Sequence, residues 1–291
     1  MMRLLFLFLL VPALAIAQTT DSVPPTPRCA SCPEWNKPHA PFKLYGNSWY
    51  VGTDGLSAIL ITSSAGHILI DGGLQESAPL IRRNIEALGF RLTDVKLMLN
   101  SHAHNDHAGG LAMLARLSGA TVAASAPSAR WLQHGNSFDD DPQFGLNAPY
   151  PRVPKVRTVR DGEVVRVGTL ALTAHITGGH TPGGTSWSWQ SCEANVCHDI
   201  VYADSQSPIS ADGFRFSSNT RYPTAVQDFR RAHTLFETMR CDILVMPHPS
   251  AAQLWERVAG GTLIDARGCK RMAANARLAL DNRLATEGVT K

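Results

Sequence analysis

After residue 17 no stretch is apolar for long enough to cross a bilayer, and no run of lysine or arginine marks a nucleic-acid surface. A formal charge of +3 over 291 residues is too mild to argue for a polyanionic partner. Cys29 and Cys32 form the only Cys-x-x-Cys pair, so no second pair completes a zinc-finger pattern. No internal sequence repeat is visible. What remains is ordinary for a globular chain able to bury a large core, with 44% hydrophobic and 18% charged residues.

The N-terminus departs from that texture. Met1-Met2-Arg3, an apolar run from Leu4 to Leu14 and the small-x-small triplet Ala15-Ile16-Ala17 read as a secretory signal over residues 1–17, cleaved before Gln18. Export leads to the periplasm or the exterior, where an even set of six cysteines is expected to pair. Cys192 with Cys197 would pin a hairpin loop, Cys241 with Cys269 would anchor the last helix, and Cys29 with Cys32 are left to pair locally. Residues 18–42 carry six prolines without periodicity and read as an irregular arm. Residues 43–291 read as one α/β domain in two pseudo-equivalent halves, about 43–163 and 164–291.

In the first half, Leu44-Tyr45, Trp49 to Val51, Ala58 to Ile61 and His67 to Ile70 are short strand-like runs separated by turn residues, which predicts an antiparallel meander ending in Asp71-Gly72-Gly73. An amphipathic helix follows over Glu76 to Leu88, then a strand over Val95 to Leu99, a helix over Ala108 to Leu117 and a strand over Thr121 to Ala124. This order predicts helices packed on a sheet face. Residues 133–154 are polar and unpatterned and read as a flap. The second half repeats the texture: strands at Val164 to Val167, Leu170 to Ile176, Thr185 to Trp189 and Ile200 to Ser205, a helix over Pro223 to Met239, a strand over Ile243 to Met246, and a helix over Asp265 to Thr286. Trp187 and Trp189 share a strand face and read as core.

Between Val95 to Leu99 and the next helix lie three imidazoles and a carboxylate within six residues: His102, His104, Asp106 and His107. Residues two apart in extended chain point the same way, so His102 and His104 can close on one ion while Asp106 and His107 point to another. Of 11 histidines, two more, His180 in the turn Gly178 to Gly184 and His248 in Pro247-His248-Pro249, lie at or just past a strand end. His39, His67, His134, His175, His198 and His233 lack that context and read as structural or solvated. If the strand tips gather at one edge, His102, His104 and His180 would hold a first ion, and Asp106, His107 and His248 a second. Nitrogen ligands with one carboxylate and no thiolate suit zinc, with iron or manganese as the other candidates. Two such ions would share a hydroxide, oriented by Asp106, as a hydrolytic nucleophile.

The run His102-Ala103-His104-Asn105-Asp106-His107, with Asp71-Gly72-Gly73 before it, Gly179-His180-Thr181-Pro182-Gly183-Gly184 after it and Pro247-His248-Pro249 near the end, resembles the metallo-β-lactamase superfamily. More narrowly it resembles the third subclass of the class B enzymes: Ser205 stands where the commonest subclass has a cysteine ligand, and all three first-site histidines are present. The resemblance implies a four-layer αβ/βα sandwich with a dinuclear zinc site at the sheet edge and hydrolysis of penicillins, cephalosporins and carbapenems. It also implies, through Tyr202-Ala203-Asp204-Ser205-Gln206-Ser207, that Ser205 and Ser207 bind the β-lactam carboxylate. Gln143 in the flap is a further candidate substrate contact, and a monomer acting on a small molecule is expected. The alternatives are another hydrolase of the superfamily (a lactonase, a glyoxalase II-like thioesterase or a phosphodiesterase) or a zinc-binding protein without activity. The hydrolase alternatives bridge their metals with an aspartate near the position of Asp204. Strand alternation would turn Asp204 away from the groove if Ser205 and Ser207 face it.

Overall fold

Short strands that are apolar on both faces must be covered on both. The computed structural model, which describes Thr26 and residues 29–288, covers them with a second sheet on one side and helices on the other. The expected signal segment and the first part of the arm lie outside the described residues. One sheet runs β1 (Phe42–Tyr45), β2 (Ser48–Tyr50), β3 (Ile59–Ile61), β4 (His67–Ile70), β5 (Val95–Leu99), β6 (Thr121–Ser125), β7 (Val156–Val159), in that spatial order. Its first four strands are antiparallel and β4 to β7 are parallel. The other contains β8 (Val164–Val167), β9 (Leu170–Ile176), β10 (Thr185–Glu193), β11 (Val196–Tyr202) and β12 (Ile243–Val245), in the order β12-β11-β10-β9-β8, with only β11 and β12 parallel.

Alternation partitions the core. Ile59, Ile61, Ile68 and Ile70 face Trp187, Trp189, Ile200 and Tyr202 of the opposite sheet. Leu60 and Leu69 point the other way, against α2 (Ala78–Ala87), α4 (Leu111–Ser118) and α5 (Ala126–His134). Val201 and Leu244 meet α6 (Ala225–Thr238) and α8 (Gly268–Thr286). The result is the four-layer αβ/βα sandwich. Short helices α1 (Cys32–Trp35), α3 (Asn105–Ala108) and α7 (Leu254–Ala259) complete it. Among the described residues no helix is long and apolar enough to cross a membrane.

Several local expectations change. The arm contains α1, and β1 begins at Phe42. The helix expected over Ala108 to Leu117 is two helices, α3 and α4, because Gly109-Gly110 is pressed on the preceding strand end. Gly110 N–H donates to Gly73 O (3.1 Å), and a Cβ on Gly110 would lie 2.2 Å from Gly72 O. Between Cys192 and Cys197 the strands continue to Glu193 and Val196, leaving only Ala194-Asn195 as a turn. β11 ends at Tyr202, so residues 203–224 contain no strand. Disulfides link Cys29 to Cys32, Cys192 to Cys197 and Cys241 to Cys269.

Candidate metal centre

The histidine-rich segment leaves β5 at Leu99 and is held by Asp71 at the end of neighbouring β4. Asp71 takes the left-handed conformation (φ +60°), rare for a residue with a side chain, and its carboxylate is fully buried. Oδ1 accepts from Ser101 N (2.7 Å) and Asn100 Nδ2 (3.1 Å); Oδ2 accepts from Ser101 Oγ (2.6 Å) and Tyr202 OH (2.7 Å). One carboxylate thus ties β4, the histidine-rich segment and β11 together. Trp187 Nε1 donates to Asn100 O (3.2 Å) from the facing sheet, while Trp189 stays in the core.

The second half brings its histidines to the same edge. His180 follows Gly179, which adopts φ +132° and lies so close to α6 that a Cβ would sit 2.4 Å from the Phe229 ring. His248 follows β12. The donor atoms of His102, His104 and His180 lie within 4.8 Å of one another, as do those of His102, Asp106 and His107. His248 Nε2 is 3.2 Å from Asp106 Oδ2, and its ring centroid is 5.0 Å from that of His107. All six side chains predicted to ligate are therefore neighbours, and five are buried outright.

Partners behind the rings decide which nitrogen each presents, since a histidine committed through one nitrogen offers the lone pair of the other. His102 Nδ1 bonds Asp204 Oδ1 (2.7 Å), His180 Nδ1 donates to Ser207 O (2.9 Å), and His248 Nδ1 donates to Gly55 O (3.2 Å), so Nε2 is the nitrogen each can offer to the centre. His104 is reversed: Nε2 meets both oxygens of Asp141 (3.1 Å), leaving Nδ1. Burial, with His107 and His104 nearby, holds His102 well below the usual imidazole range, and burial with His102 pushes His180 down to about 3. Both rings are therefore neutral at pH 7, the form in which an imidazole can bind a metal. Burial works against charge on Asp106 too, but His107 and His248 outweigh it and hold that carboxyl well below its ordinary value. Burial would lower His104, and the facing Asp141 carboxylate reverses this.

A cation fits this set. His107 has both ring nitrogens buried without a hydrogen bond, Nε2 making only ion-pair contact with Asp106 Oδ2 (3.2 Å), and nitrogen donors with one ionised carboxylate are the chemistry of a first-row divalent ion. The grouping supports a dinuclear metal site.

Two irregular segments wall the centre. In 135–155, Gln143 Nε2 approaches His180 Nε2 (3.2 Å), and Tyr150 OH donates to Ala103 O (2.7 Å). In 203–224, Ser205 is buried, and Ser207 lies against His180 through both its carbonyl and its hydroxyl (3.2 Å). Asp204 does not turn away from the site: without a strand, alternation has no hold there, and its buried carboxylate reaches His102. Asp141 was missed altogether. It is one of three consecutive aspartates in a polar loop, and no local pattern distinguishes the one that turns inward.

The chain belongs to the metallo-β-lactamase superfamily, whose family model matches residues 51–248. Among solved structures it is similar to the Rm3 metallo-β-lactamase, with 50% identity and a TM-score of 0.88 over 90% of this chain and 100% of that one. It is also similar to MEM-A1, described as a subclass B3 metallo-β-lactamase from a soil metagenome library, with 46% identity and a TM-score of 0.85 over 87% of this chain and 98% of that one. A curated human relative, metallo-β-lactamase domain-containing protein 1, is 28% identical over 48% of this chain; the match spans about half of that relative's length, 53%.

Proposed function

We propose that the protein is a zinc-dependent β-lactamase, exported to the periplasm or beyond after cleavage near Ala17-Gln18, that hydrolyses the β-lactam amide of penicillins, cephalosporins and carbapenems as a monomer. The observation that carries this is the convergence of two donor sets, His102, His104 and His180 beside Asp106, His107 and His248, in a chain 50% identical to Rm3 over nearly its whole length. When bound, a pair of divalent ions supplies Lewis acidity and lowers the pKa of water from about 15.7 towards 7. Asp106, held ionised between His107 and His248, would orient the attacking water and accept its proton. Ser205 and Ser207 would take the substrate carboxylate, and Gln143, at the rim beside His180, would contact the acyl portion. The commitment of Asp204 Oδ1 to His102 counts against the lactonase, thioesterase or phosphodiesterase reading, which needs that aspartate between the ions.

The test is hydrolysis of nitrocefin, expected to be abolished by a chelator and restored by zinc. A zinc-loaded protein that leaves nitrocefin intact while rapidly hydrolysing a thioester or lactone overturns the assignment.

A further inference from the structure

Residues 203–224 have no regular secondary structure, yet they carry Ser205, Ser207 and the carbonyl that orients His180. A segment of that length is ordered only if something outside it satisfies its backbone. On the site side its start is tied down, with Asp204 bonded to His102 Nδ1 (2.7 Å) and Ser186 Oγ (2.8 Å) and Ser207 to His180 Nδ1, but beyond Ser207 the contact on that side is Ala211 N to Pro142 O (2.8 Å). Behind it stands the last turn of α8. Arg283 Nη1 donates to Pro208 O (3.3 Å), and Nη2 donates to Ser210 Oγ (2.8 Å) and Phe214 O (2.7 Å). Its guanidinium carbon lies 5.0 Å from the Phe216 ring centroid, and Nε donates to Glu287 Oε1 (2.7 Å). Glu287 in turn accepts from Phe216 N (3.0 Å) and Ser217 N (2.8 Å).

We propose that Arg283, oriented by Glu287, is a positioning residue for the substrate groove: it fixes the Ser207 to Phe214 stretch from behind and so sets where Ser207 meets substrate and His180. The inference rests on the β-lactamase reading for its substrate half, while the ordering of the segment stands apart from it. An arginine in the last turn of a helix is often only a partner for the helix's own carbonyls. Here the side chain turns off the helix and reaches acceptors some 70 residues earlier in the chain. Three acceptors and a carboxylate around one planar fork suit guanidinium; a lysine ammonium cannot span them. Because the donors are directed at the segment and at Glu287, the contribution is geometric rather than a charge offered to substrate.

The test compares wild type with Arg283→Met and Arg283→Lys by steady-state kinetics on a β-lactam and by backbone hydrogen exchange. Arg283→Met is expected to raise KM about fivefold to tenfold with kcat within about twofold, the split expected when ground-state binding geometry is lost. Exchange should rise in residues 205–218 and stay unchanged in β3 to β5. Arg283→Lys should restore little of either, since charge without the fork does not rebuild the contacts. Unchanged exchange in 205–218, equal KM in wild type and Arg283→Met, or full recovery by lysine overturns the proposal. A uniform rise in exchange across the chain also overturns it, and Glu287→Gln, which retains one acceptor oxygen, repeats the comparison in a milder background. If the wild-type protein turns over no β-lactam, the functional reading fails and the exchange data alone decide the positioning role.

Discussion

The two irregular segments that wall the metal centre are similar in length and differ in what holds most of their backbone. Residues 135–155 are held from inside: the Asp141 carboxylate points at His104, and Tyr150 reaches Ala103 within the ligand segment. Residues 203–224 touch the site rings at Asp204 and Ser207, but from Pro208 to Ser217 they are held from outside, by Arg283 of the final helix and Glu287 just beyond it. The difference teaches that order at this edge comes from charged and polar side chains satisfying loop backbone or ligand rings. Position relative to the site then decides what is lost. Damage to the inward anchor should reach the ions, and damage to the outward one should reach the substrate.

His180 is where the two walls meet, with Gln143 on one ring nitrogen and Ser207 on the other. His180→Ala should have the largest effect, a fall in kcat/KM on the order of 10³-fold, beyond the roughly 10 to 100-fold typical of outer partners. Metal analysis should show the loss of one ion; two ions per chain with kcat/KM within about tenfold of wild type would break the scheme. Asp141→Asn sharpens the contrast with Arg283: first-site metal affinity should fall about 10 to 100-fold, read by competition with a chelating dye, with KM little changed. Unaltered affinity would show that the inward anchor serves the loop and not the ring. The smallest effect belongs to Tyr150→Phe. It removes one donor to a buried carbonyl and should cost about 1 kcal/mol, a fall in Tm of about 2 to 4 °C, with activity nearly intact. A large kinetic defect there would mean that the 135–155 segment is held less by Asp141 than its geometry indicates.

Much of the fold was legible because short apolar runs and glycine-punctuated turns are local signals, and β4, β5 and β9 begin and end where the pattern places them. The break between α3 and α4 was not, since Gly109-Gly110 reads as tolerable inside a helix until the Gly72 backbone is seen against it. Nor was β7, whose half-exposed Val156–Val159 becomes a strand only by pairing with β6.

The sequence by itself determined which side chains could bind a metal, because imidazoles and a carboxylate packed into six residues have no comparable structural use. Their position just past the end of β5 also placed these four together at one strand tip. Tertiary structure alone decided which nitrogen each ring presents, that Asp204 stands behind His102, and that Asp141 and Arg283 hold opposite walls of the groove. Those choices depend on contacts between residues tens of positions apart, and a hydrogen bond leaves no periodicity in the chain for a reader to find.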